Sequence, residues 1–300
     1  MMHDKDKLLL KIANAIVANI GNTTDIGLMN GKTGVCLFLY EYSRYSGIEY
    51  YEDVANGLLD DVFKGLNPRL SQNMVDGTAG IGWGILYMLE EHFLECDEKQ
   101  LMKDFDNVLF KEIGKKLSEE CRFSFPFSSV GLYLAKRIDC HENCAFEEMR
   151  GVLDDFQENL GEMLDGKMAL PNSYLLSIAF VLKLLREKND SREMGELECK
   201  ANTILSLQKT ENTLNTIDRE MCKLLMEKNG LPEENMVLSL VEKKNIEMLW
   251  MLLVYGIFHH FNFEKAKSSM SEVCKMAYFD TPRSVLALTV CGILLIKDGI

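Results

Sequence analysis

Three short clusters hold the residue types that do chemistry. Cys140-His141-Glu142-Asn143-Cys144 places two thiols and an imidazole within five residues, and one turn can bring two of them onto a metal ion. The other half of a zinc site, a second Cys or His pair at ligand spacing, does not accompany it, so an exposed hairpin loop is the plain alternative. Gly31-Lys32-Thr33 has the ending of a phosphate-binding loop, but Ile26 stands where the first glycine of that loop belongs, and no strand pattern precedes it. Asp76 stands just before an apolar run, where a carboxylate meets the free N–H groups of a helix start; it reads either as a cap or as the acid of a pocket. His259-His260 closes another apolar run and fits a helix C-terminus. Glu90-Glu91-His92 reads as a solvated face, and Trp83, Tyr87 and Trp250 as core, with Trp83 also placed to line a cavity.

The elements that must position these groups announce themselves through glycine. Gly27-Leu28-Met29-Asn30-Gly31-Lys32-Thr33-Gly34 and Asp76-Gly77-Thr78-Ala79-Gly80-Ile81-Gly82-Trp83-Gly84 each open an apolar helical run, and their starts lie about fifty residues apart. Glycine lets the first turn of such a helix pack closely on its neighbour. Periodicity elsewhere is helical, with no convincing strand alternation. Amphipathic helices are predicted at 5–20, 51–66, 98–120, 146–164, 192–207 and 263–279. Helices apolar nearly all round are predicted at 34–42, 80–93, 128–135, 173–185, 245–258 and 284–296. An extra helix at 221–227 and a loop at Gly230-Leu231-Pro232 fill the longer gap. Six buried and six amphipathic helices in alternation predict an all-α fold: an (α/α)6 toroid of six hairpins, an inner ring inside an outer one, in a single domain over 1–300. Inner-helix N-termini then converge on one rim, whose positive dipole ends favour polar or anionic ligands. The candidate rim is Asn30, Lys32, Asn73, Asp76 and Trp83, with Gly31, Gly34, Gly77 and Gly80 as structural glycines.

With the glycine elements placed on inner helices, the chain resembles the lanthionine synthetase cyclase family (LanC-like proteins). Gly31-Lys32-Thr33-Gly34 before Val35–Tyr40 is similar to the first repeated G-x-x-G element of that family, and Gly77-Thr78-Ala79-Gly80-Ile81 to the second. The resemblance covers residues 25–95 and is architectural beyond them. It implies an α,α-toroid and a zinc-assisted attack of a peptide thiol on a dehydrated serine or threonine, zinc lowering the thiol pKa. That chemistry takes two cysteines and a histidine late in the chain, one pair as Cys-His-Gly. This sequence has no Cys-His-Gly, and its late Cys274 and Cys291 stand in apolar runs without an adjacent histidine. Where the family usually carries an active-site aspartate ahead of the second element, this chain has Asn73, and an amide is no general base at neutral pH. The implied cofactor is zinc, but its ligands are not found here, so the expectation is no cofactor.

Bulk properties narrow the partners. The net charge of −13, with acids scattered along the chain, argues against nucleic acid and anionic membranes. The longest apolar runs, at 248–258 and 285–296, fall short of the roughly 18–20 residues a membrane span takes. No leader is evident, and nine cysteines without framework spacing read as reduced, mostly buried thiols of a cytoplasmic protein. The leading functional expectation is therefore a zinc-free LanC-like pseudoenzyme. It would bind a peptide or polar ligand at the rim as an accessory factor in peptide modification, with a peptide or a modifying enzyme as partner. The alternatives are a carboxylate-dependent glycoside hydrolase or lyase on the same toroid, with Asp76 as one acid, an active cyclase with a rearranged site, and a purely structural scaffold.

Overall fold

The computed structural model describes residues 3–122, 128–139, 145–166, 170–188, 192–210, 246–255 and 282–297. Every regular element among them is helical. The twelve α-helices are α1 (Asp4–Asn19), α2 (Lys32–Ser46), α3 (Tyr50–Gly65), α4 (Thr78–Glu90), α5 (Glu98–Phe110), α6 (Ile113–Arg122), α7 (Ser129–Asp139), α8 (Ala145–Asp165), α9 (Asn172–Lys188), α10 (Arg192–Thr210), α11 (Ile246–Val254) and α12 (Pro282–Lys297), with a 3-10 turn at Ile20–Asn22. Among the described residues α2, α4, α7, α9, α11 and α12 are the helices buried nearly throughout, and from α1 to α11 charged helices alternate with them as predicted. The predicted helices at 221–227 and 263–279, the 230–232 loop, the Cys140–Cys144 cluster, His259, His260 and Cys274 lie outside the described residues.

The chain divides into two compact units. One comprises Met1–Ser71, Val75–Gly77 and Leu231–Ile300, the other Gln72–Met74 and Thr78–Gly230. In the first unit α2 is the central helix. Every residue from Thr33 to Ser43 is buried, and the helix packs on α1, α3 and α12, with α11 against α12. Such a helix gains its stability from covered apolar surface, at roughly 25 cal/mol per Å². α3 shows the complementary pattern: Tyr51, Ala55, Leu58, Leu59 and Val62 line its buried stripe, while Glu52 and Asp53 occupy the first turn, where the helix dipole favours acids. Two charges that the sequence places on buried helices are paired there: Lys297 of α12 reaches Glu41 of α2 at 3.0 Å.

In the second unit α7 packs between α4 and α9, and α5, α6, α8 and α10 cover them. Arg137 on α7 is 3% exposed and bridges two carboxylates of α5, Glu98 at 2.7 Å and Asp106 at 3.2 Å. The Tyr133 hydroxyl donates to the same Asp106 at 2.7 Å. The expected single helix over 98–120 is two helices. Glu112 takes a left-handed backbone, φ 55°, and ends the run. The Lys116 ammonium holds the break by donating to the free carbonyls of Val108, Leu109 and Lys111, the groups a helix C-terminus leaves without partners. Burial pulls the Lys116 pKa down, as desolvation disfavours the charged form.

Candidate functional site

The first glycine stretch folds as a loop laid back on the start of α2. The Asp25 carboxylate accepts the Gly27 N–H at 2.7 Å, and the Asp25 carbonyl accepts the Lys32 N–H at 2.9 Å. The Thr33 hydroxyl donates to the Ile26 carbonyl at 2.6 Å. These bonds bring backbones so close that no side chain fits. A Cβ on Gly31 would stand 2.5 Å from the Gly27 nitrogen, and one on Gly34 would stand 2.1 Å from the Leu28 carbonyl and 2.6 Å from the Trp250 ring. Trp250 is fully buried, and its indole N–H meets no acceptor among the described residues.

The same loop gathers part of the candidate rim. The Met29 N–H donates to the Val75 carbonyl at 2.8 Å, and a Cβ on Gly27 would lie 2.3 Å from the Asp76 Cα. Asn30, Lys32 and Asp76 thus belong to one polar edge at the N-terminus of α2. Asn30 is half-buried and Asp76 exposed. The Lys32 ammonium is held at 2.6 Å by Asp61 of α3, and this pairing lowers the Asp61 pKa. The Asp76 carboxylate accepts the Ser71 hydroxyl at 2.9 Å, two residues ahead of α4. With the Lys32 ammonium and the Thr33 hydroxyl engaged inside the fold, this loop does not present the donors of a phosphate-binding loop.

The other two rim candidates belong to the second unit. The carbonyl of Asn73 accepts the Gly80 N–H at 3.3 Å, tying the loop to the first turns of α4. Trp83 is 5% exposed and stacks on Tyr87 with 5.7 Å between centroids. The Lys136 ammonium, paired with Glu90, rides over both rings at 5.6 and 5.7 Å. Gly77 and Gly80 are buried, and His92 is exposed with a left-handed backbone at the end of α4.

One polar cluster escaped the sequence reading. Glu120 of α6 is buried and accepts the Val130 N–H, at the start of α7, and the Tyr174 hydroxyl of α9, each at 3.1 Å. Ser128 and Ser129 extend it: the Ser128 N–H donates to the Ser177 hydroxyl at 3.1 Å, and the Met74 N–H to the Ser129 hydroxyl at 3.0 Å. Burial pushes the Glu120 pKa up to about 7, against the opposing pull of these donors. Nothing in Ser118-Glu119-Glu120, which reads as a charged helix face, distinguishes this acid from its exposed neighbour. Among the thiols, Cys36 and Cys291 are buried, and burial drives the Cys36 pKa far above the usual thiol range, leaving it unreactive. Cys96 and Cys199 are exposed, against the expectation of mostly buried thiols. Among the described residues no group of three His, Cys, Asp or Glu side chains is placed to hold a metal ion, and no helix is long and apolar enough to cross a membrane.

No family model matches the chain, and no curated protein or solved structure matches it either.

Proposed function

We propose that the six buried helices are the inner staves of a LanC-like (α/α)6 toroid that binds a peptide segment or polar ligand without forming thioether rings, as an accessory factor in peptide modification. The observation that carries this reading is the polar edge at the start of α2. A helix buried on every side starts from a backbone-bonded loop, beside which lie half-buried Asn30, exposed Asp76 and Lys32. A ligand carboxylate would have to displace the ion pair of Lys32 with the exposed Asp61. An asparagine side chain donates and accepts at once, so it can pair with a peptide amide, and the helix N-terminus favours a carbonyl or carboxylate beside it. The residues quoted for the family support the scaffold, while Asn73 and the missing Cys-His-Gly support loss of its chemistry. Zinc would supply thiol activation in such a site, and no donor set among the described residues fits it.

The test uses a fluorescent synthetic peptide carrying one dehydroalanine and one cysteine. The full chain should bind it, Asn30→Ala and Lys32→Met should weaken binding about fivefold or more, and the peptide thiol should remain open to alkylation. Ring formation reads as loss of that thiol without change of mass. Its appearance, together with one tightly held zinc equivalent in the purified protein, overturns the proposal.

A further inference from the structure

Five large apolar side chains stand exposed among the described residues, and three of them lie within six residues at the α2–α3 turn: Tyr45, Ile48 and Tyr50, at 42, 43 and 56% exposure. Exposed apolar side chains scattered singly are ordinary; a cluster at one hairpin tip is not. The tip is also built to stay in place. Gly47 takes φ 71°, and its N–H donates to the Ser43 carbonyl at 2.8 Å. The Ser43 hydroxyl holds the Ile48 carbonyl at 3.0 Å. The Tyr45 hydroxyl donates to the Asp6 carboxylate of α1 at 2.7 Å. Tyr50 meets Tyr51 edge-on at 5.4 Å, Tyr51 meets Tyr42 at 4.8 Å, and Tyr42 stacks on buried Phe38 at 5.8 Å, so an aromatic ladder runs from the core to the surface. Rigid aromatic groups displayed in one geometry lose little freedom when covered, which is what interface anchors require.

Charge selects what covers them. Glu49, Glu52 and Asp53 are exposed around Ile48 and Tyr50, with Arg44 as a cation on the tip, while half-buried Asp6 beside Tyr45 is already engaged by Tyr45 and His3 and faces Lys5. A second copy docking tip to tip would bring these carboxylates face to face in a chain of net charge −13. We propose that the α2–α3 tip docks a basic, amphipathic segment of a partner protein, aliphatic side chains covering Tyr50 and Ile48 and lysine or arginine side chains meeting Glu49, Glu52, Asp53 and the tyrosine faces. This surface lies at the far end of α2 from the glycine loop, about 20 Å away by helical rise, and does not depend on the ligand reading above.

The probe is a short fluorescein-labelled peptide of leucine and lysine at helical spacing, with a leucine–glutamate peptide as its mate, followed by anisotropy. The basic peptide should bind and the acidic one should not. Ile48→Ser with Tyr50→Ser should weaken binding about tenfold or more, as should Glu49→Lys with Glu52→Lys, and salt near 0.3 M should weaken it further. These positions are exposed, and a cooperative thermal melt verifies folding of each variant, the lysine pair melting lower because it removes acids from the start of α3. Basic-peptide binding indifferent to Ile48→Ser and Tyr50→Ser marks general attraction to an acidic chain and overturns the proposal. So does a dimer in sedimentation that Ile48→Ser and Tyr50→Ser dissociate.

Discussion

Gly34 and Gly57 are both helical glycines, and alanine should act on them in opposite directions. At Gly57 a Cβ meets nothing within 4 Å, so Gly57→Ala gains helix propensity, about 0.5–1 kcal/mol. At Gly34 the Cβ runs into the Leu28 carbonyl and the Trp250 ring, and Gly34→Ala should cost about 3 kcal/mol. Urea midpoints of the two variants decide it, and equal shifts would show that the loop does not press on α2. Glu120 gives a prediction in pH. Unfolded, the carboxyl titrates in the ordinary glutamate range; folded, it titrates at about 7. The folded state holds the extra proton between those values, so this stabilising contribution is full below the unfolded pKa and is lost as pH rises through 7. Glu120→Gln keeps the shape and one of the two acceptor oxygens, its amide NH2 facing the other partner, and should flatten stability against pH between about 5 and 8. A slope unchanged in that variant assigns the effect elsewhere. The glycine spacing told where close packing occurs, because only glycine permits it. The Glu120 cluster was illegible, because a buried acid and a solvated one look alike until a partner from two other helices is in place.

At the scale of elements, the buried and amphipathic helices among the described residues could be read to within about four residues of their ends, since a helix covered on all sides must be apolar on all sides. The break between α5 and α6 could not. Met102, Phe105, Leu109, Ile113 and Leu117 are all buried and keep helical spacing straight through it. Neither turn residue, Lys111 or Glu112, is a glycine or proline, Gly114 already lies within α6, and the device that holds the turn is a lysine five residues after Lys111. Lys116→Met should therefore cost about 1–2 kcal/mol and raise hydrogen exchange in the last turn of α5. Loss confined to α6 would give that lysine another role. Arg137 ties α7 to α5 more strongly: Arg137→Met leaves the half-buried Glu98 and Asp106 carboxylates without their cation, at about 2–3 kcal/mol. The double variant with Asp106→Asn should recover part of that loss in denaturant melts.

For the whole molecule, charge is the property read most directly from sequence and the one with the plainest consequence. A chain at −13 repels itself when compact. Its melting temperature should rise between about 0.02 and 0.3 M sodium chloride, as screening shortens the reach of those charges to about 6 Å. A melt independent of salt would mean that the surface ion pairs already balance the repulsion. That six of the described helices are buried nearly throughout was legible for the same reason. Which segments pack together was not, because apolar faces carry no address.

That lack of address has a consequence for how the protein comes into being. The partners of α2 are far away in the chain: Gly34 awaits Trp250, Phe38 awaits Gly292, and Glu41 awaits Lys297. A ribosome adding roughly 5–20 residues per second needs on the order of ten seconds to a minute to supply them. Through that interval a helix apolar on every side is on hand with only α1 and α3 to shelter it. The described helices α4 to α10, by contrast, pack on one another and can close while synthesis continues. Among the described helices, α1 to α3 thus wait longest during synthesis for the partners that cover them.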